Sequence, residues 1–186
     1  MNIEINYANV RRLSISIVKN GDVHVSVPYG LPRAQVEAFV EKNRMWIEKA
    51  REKTHERQEK RTAFFDKLPL GTPEEIANAE AKLKAKVEPL VIQYSNKMGV
   101  EPADITYKAM ISRWGVCNVQ TKSICFSLYV LLLPDLCIEH VVVHELCHLL
   151  EPSHNDRFHD LLDQYFPHWR MARKMTRHIY DMKEDQ

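Results

Sequence analysis

The reading turns on twenty-five residues, Pro134 to Phe158, PDLCIEHVVVHELCHLLEPSHNDRF. From Leu136 to Leu150 almost every residue is apolar or a strong helix former, so the spacing predicts a helix buried on most of its surface. Asp135, just after Pro134, is the expected N-cap. Inside this helix lies HELCH, His144 to His148. Residues four apart stack on one helix face, so His144 and His148 can offer two imidazole nitrogens to one ion. Glu145 lies about 100° around the helix. It can reach a water activated by that ion without ligating the ion itself, as a general base must.

A hydrolytic zinc usually keeps three protein ligands and one open position. The third is sought beyond the helix. Pro152 makes it hard for the helix to continue past Glu151, so the chain must turn there. His154 follows six residues after His148 and is the expected third ligand, giving His144, His148 and His154 around Zn2+ with Glu145 as catalytic base. Glu151, Asp160 and Asp163 stay open as carboxylate alternatives. His140 shares the His144 face one turn earlier, but three histidines along one straight helix splay too far to chelate. It reads as packed behind the site, and His159 as a surface residue.

Outward from this centre the chain reads as α+β. Leu13, Ile15 and Ile17 alternate with polar residues, as do Val23, Val25 and Val27, with Asn20-Gly21 between them as a hairpin turn. A helix from about Arg33 carries Val36, Phe39, Val40, Trp46 and Ile47 on one stripe. It runs into the charged stretch REKTHERQEKR, residues 51–61, read as a solvated helix end or a linker. Thr72-Pro73-Glu74-Glu75 is a capping box with proline in the first turn. It opens a helix with Leu83, Val87, Leu90 and Tyr94 on its apolar face, a kink expected at Pro89 and a stop at Gly99. Two strands are expected near 105–110 and 123–130, joined as a hairpin by SRWGVCNVQTK, with 123–130 available to take an extended peptide as an added strand. After the site, Phe158, Leu161, Leu162 and Phe166 form the buried face of another helix. Met171 and Met175 read as core. The expected division is residues 1–62, hairpin, helix and charged helix end, and residues 63–186, the catalytic core.

Composition narrows the function. The chain has 186 residues, 45% hydrophobic and 27% charged, with 26 Lys and Arg against 25 Asp and Glu. It can bury a core, and its near-neutral balance demands no polyanionic partner. The N-terminal stretch lacks a basic-then-apolar leader and no apolar run reaches the length of a membrane span, so a cytoplasmic location is expected. Cys117, Cys125, Cys137 and Cys147 form no CxxC pair and read as small buried groups; Cys147 points away from the two-histidine face.

Read together, SRWGVC at 112–117, an apolar strand, Pro134, VVVHELCHL and HNDRF resemble the YgjP-like metallopeptidase family, itself similar to SprT-like and other small zincins. The resemblance is dense from about Ser112 to Trp169, and VSVP and the Trp46-Ile47 region fit it more loosely. Family members usually carry SRWGSC, so Val116 departs from the pattern. The resemblance implies a zincin-like fold with a short antiparallel sheet beside the HExxH helix, zinc at His144, His148 and His154, a catalytic Glu145, and a peptide or protein substrate. Three other classes stand beside it. One is a non-catalytic structural zinc protein and another a DNA-associated zinc protease, the latter less favoured by the charge balance. The third is an amide hydrolase acting on a small molecule. Arg113, Tyr129 and Arg157 are the candidates to stabilise an oxyanion. Asp156 and Asp160 are candidates to orient a ligating imidazole, with helix capping by Asn155 or Asp156 as the alternative. Trp114 reads as packing before substrate platform.

Overall fold

A computed structural model describes residues 2–179. The chain divides into two compact units, residues 1–63 and 64–186, and the fold is α+β. In the first unit, β3 (Val23–Pro28) lies between β1 (Ile3–Ala8), parallel to it, and β2 (Ser14–Ile17), antiparallel to it. Alternation puts Val23, Val25 and Val27 on one face of the central strand, fully buried with Val36 and Ile47. The β2–β3 turn closes with Val18 N–H donating to the Asp22 carbonyl at 3.0 Å, and Gly21 takes φ 85° there, which glycine adopts without strain. Strand β1 was not expected, although Ile3, Ile5 and Tyr7 alternate.

The expected long helix is two: α1 (Arg33–Lys42) and α2 (Arg44–Asp66), parted at Asn43. The charged stretch is helical throughout, with i,i+4 pairs such as His55–Glu59 on its solvent side. The break interrupts the expected stripe: Ile47 is buried, while Trp46 is 52% exposed.

The second unit is built on α4 (Asp135–Cys147). Against it packs α3 (Pro73–Met98), whose Ala79, Leu83, Val87, Val91, Tyr94 and Met98 recur at helical spacing and are buried. The Thr72–Glu75 capping box forms in full, the helix runs through Pro89, and Gly99 ends it with φ 67°. Asp135 is not the N-cap of α4. It sits in the first turn, where a carboxylate favours the helix dipole, and meets Lys86 Nζ at 2.7 Å.

The sheet of this unit is mixed, in the order β4-β6-β5. Strand β4 (Asp104–Lys108) runs parallel to β6 (Ser123–Ser127), and β5 (Gly115–Asn118), from within the expected loop, is antiparallel to it. The two expected strands do pair, as β4 and β6, but parallel; the hairpin is β5–β6. Strand β6 is the central strand, flanked on both sides, and has no edge for a peptide; the edges belong to β4 and β5. Residues 128–132 leave the strand as a 3-10 turn, opened by the Ser127 hydroxyl accepting from Tyr129 N–H. Helices α5 (Asp156–Tyr165) and α6 (Trp169–Arg177) complete the unit. The side chain of Asn155 caps α5 by accepting from Phe158 N–H at 3.0 Å. Met175 packs on the core, but Met171 is 52% exposed, contrary to expectation.

Candidate active site

Helix α4 is buried on nearly every side, so its position is set by the packing of the whole unit. His144 lies in its last turn and His148 is its C-cap. The chain leaves as a tight turn, with Leu150 and Glu151 N–H both donating to the Cys147 carbonyl at 3.0 and 2.9 Å. Pro152 follows, and the turn brings His154 back to the helix. Nε2 of His154 lies 3.0 Å from Nε2 of His144, and a ligand nitrogen of each of the three imidazoles falls within 4.8 Å of the others.

Phe158, from the first turn of α5, packs against all three rings, with centroid distances of 4.9, 4.7 and 4.7 Å to His144, His148 and His154. Nδ1 of His148 donates to the Glu151 carbonyl at 3.2 Å, since a carbonyl can only accept. That bond leaves Nε2 of His148 as the nitrogen free to ligate. The expected orienting role of Asp156 and Asp160 is thus filled, for His148, by a main-chain carbonyl.

Burial lowers the pKa of all three imidazoles, and His144 falls furthest, to about 3, with His148, His140, His154 and Arg173 adding repulsion. Neutral imidazoles keep their lone pairs, as metal ligation requires. Three such donors form a set that zinc accepts, and nitrogens around a tetrahedral zinc stand roughly 3.3 Å apart. The donor chemistry and the near spacing therefore fit the group.

Glu151, Asp163, His159 and His140 are engaged elsewhere. Glu151 accepts from Ser153 N–H at 3.3 Å and faces Arg157 at 3.9 Å. Asp163 binds Trp169 Nε1 and Arg170. His159 stacks on Trp169 at 5.3 Å. His140 is buried one turn before His144, stacked on Phe166 at 6.2 Å, outside the cluster of three. Among the oxyanion candidates, Tyr129 packs edge-on against Phe65 at 4.7 Å and Arg157 faces Glu151, while Arg113 lines the cleft that holds Glu145.

Glu145 is 5% exposed. Burial pushes its carboxyl up to about 7, against the opposing pull of Arg113 and a hydrogen bond from the main chain of Cys117. Cys117 is on β5, as is Gly115. A Cβ built at Gly115 would fall 2.7 Å from Cγ and Oε1 of Glu145 and 2.8 Å from Cδ. The glycine is there because the glutamate fills its side-chain space. Sequence reasoning missed both contacts; the signal was the glycine within SRWGVC. Trp114, in the same segment, packs against Phe64 and Phe65 and also lines the cleft. The Cys117 thiol is pushed up to about 11, by burial first and then by Glu145, and Cys147 is buried in the core.

The family model of the YgjP-like metallopeptidase domain matches residues 11–70 and 73–178. The chain belongs to the YgjP-like metallopeptidase family. No curated protein matches it. Among solved structures, it is similar to the crystal structure of the metallopeptidase zymogen of Pyrococcus abyssi abylysin, at 20% identity and a TM-score of 0.44. That likeness covers 49% of this chain and 93% of the other. The YgjP-like match spans both compact units and includes every residue of the histidine cluster, Glu145 and the β5 segment. No helix among the described residues of this YgjP-like chain is long and apolar enough to cross a membrane.

Proposed function

We propose that the chain is a zinc-dependent peptidase in which His144, His148 and His154 hold the metal and Glu145 is the general base. The observation that carries this reading is the cluster of three imidazoles, one of which, His144, lines the same cleft as the buried Glu145. Zinc in that cluster would supply Lewis acidity toward a peptide carbonyl and make water a nucleophile near neutral pH. The protein's own part lies in Glu145. Its carboxylate, held by the Cys117 main chain and wedged against Gly115, accepts the proton of the attacking water and delivers it to the leaving amine. Burial raises that carboxyl above the ordinary carboxylate range, which strengthens it as a base. Strand β5, at the edge of its sheet and alongside α4, offers main-chain groups to an extended peptide beside Glu145.

The test separates catalysis from a purely structural metal. Glu145→Gln is expected to keep one equivalent of zinc by elemental analysis and to lose hydrolysis by 10²-fold or more, roughly the contribution of a positioned base. His154→Ala is expected to lose the zinc. Hydrolysis that survives Glu145→Gln would sink the mechanism, and zinc retained in His154→Ala would sink the ligand set.

A further inference from the structure

The cleft that holds Glu145 has a volume of about 380 Å³, and its charged lining is lopsided. Three arginines face it, Arg113 from the loop before β5 and Arg173 and Arg177 from α6. Glu145 is the one carboxylate lining it among the described residues. The three guanidiniums also differ from other arginines of this unit. Arg170 binds Asp163 and Arg157 faces Glu151, whereas Arg113, Arg173 and Arg177 have no ion-pair partner among the described residues. Arg173 and Arg177 stand four apart on one helix face, where like charges repel unless an anion sits between them. Trp114 and Val141 supply apolar wall beside them.

An open cleft lined by three guanidiniums that form no ion pair within 4.0 Å among the described residues, one of them, Arg173, also lying over the Trp169 ring at 6.0 Å, suits a carboxylate, since the planar fork of arginine matches that anion in two hydrogen bonds. We infer that Arg113, Arg173 and Arg177 form a carboxylate-binding subsite, so that the favoured peptide carries an acidic side chain or its own terminal carboxylate close to the cleaved bond. This inference rests on the peptidase reading for its meaning in catalysis, but the binding it asserts is separately measurable.

The experiment uses the full-length chain as zinc-loaded Glu145→Gln, which holds peptides without turning them over. Fluorescein-labelled peptides of one sequence are titrated by anisotropy in four forms: a single Glu or Gln at the scanned position, each with a free or an amidated C-terminus. A peptide with the favoured carboxylate is expected to bind about tenfold tighter than its neutral match. A Glu-against-Gln difference assigns the side chain as the source, and a free-against-amide difference assigns the chain terminus. Adding Arg173→Gln or Arg177→Gln to the same background is expected to shrink that ratio to within about twofold. Arg177→Glu is expected to turn the preference toward a Lys-bearing peptide. Equal binding of all four forms overturns the subsite, as does a preference that survives the arginine substitutions. Wild-type enzyme that cleaves none of the peptides would instead refute the peptidase reading, with the binding ratios still deciding the subsite.

Discussion

Replacing Gly115 by alanine adds one methyl group at the point where the backbone of β5 meets Glu145. That Cβ would sit 2.7–2.8 Å from three atoms of the Glu145 side chain, against an ordinary carbon contact of about 3.5–4.0 Å. Something must yield by about 1 Å. Helix α4 is buried on nearly every side and cannot move as a body, so the displacement falls on the carboxylate. A misplacement of about 1 Å at a reacting group costs on the order of 10²-fold in rate, about 3 kcal/mol of barrier. The expected outcome for Gly115→Ala is a loss of that size in kcat on a fluorogenic peptide. Zinc content is expected to stay at one equivalent, because the three atoms nearest the new methyl all belong to Glu145, and the unfolding free energy from urea titration to stay within about 1 kcal/mol of wild type. Activity within about threefold of wild type would refute the reasoning, for it would mean that edge strand β5 gives way and Glu145 keeps its place.

Phe158→Leu is expected to weaken metal affinity 10- to 100-fold, because the ring packs on all three imidazoles and fixes their orientation; competition with a chromophoric chelator measures this. Affinity unchanged within twofold would show that the rings are held without it. Metal-free protein is expected to lose stability in acid. Burial lowers His140 to about 4 from an ordinary value of 6.5. Above pH 6.5 the residue is neutral whether the chain is folded or not, and below it the unfolded chain takes up a proton that the fold refuses. Stability therefore falls with pH from 6.5 toward 4, by about 3 kcal/mol from this residue at the limit. Urea titrations of chelated protein at pH 7 and pH 5 read the slope, and His140→Leu is expected to remove its share.

What could be read in the chain was what is local. The HELCH pairing, the Thr72–Glu75 capping box, the Gly99 stop and the alternation of Val23, Val25 and Val27 all rest on contacts within about four residues, and each has its predicted form in the structure. His154 was also within reach, because Pro152 forces a turn and six residues bound how far it can travel. Pairing between strands was not legible in the same way. Period-two alternation says that a strand has a buried face but not which neighbour it joins or in which direction, so the β1–β3 pairing was missed and β4–β6, expected as a hairpin, proved parallel. The contact of Gly115 with Glu145 spans thirty residues, and a glycine in a loop-like stretch gives no hint of what occupies its empty side. Trp46 kept the stripe's spacing, but the break at Asn43 interrupts the helix on which that spacing was counted.

The turn at Glu151 gives position 151 an unusual status. The Glu151 side chain trims the turn through Ser153 and faces Arg157, while its carbonyl aims the ring of His148. Every residue type carries that carbonyl. Position 151 can therefore drift in identity over evolution and still orient the ring, so long as the main chain keeps its path, and variation there would say little about whether a relative retains the chemistry. Pro152 is the opposite case: it shapes the path that delivers both the carbonyl and His154, so one change there would be felt at two corners of the cluster together.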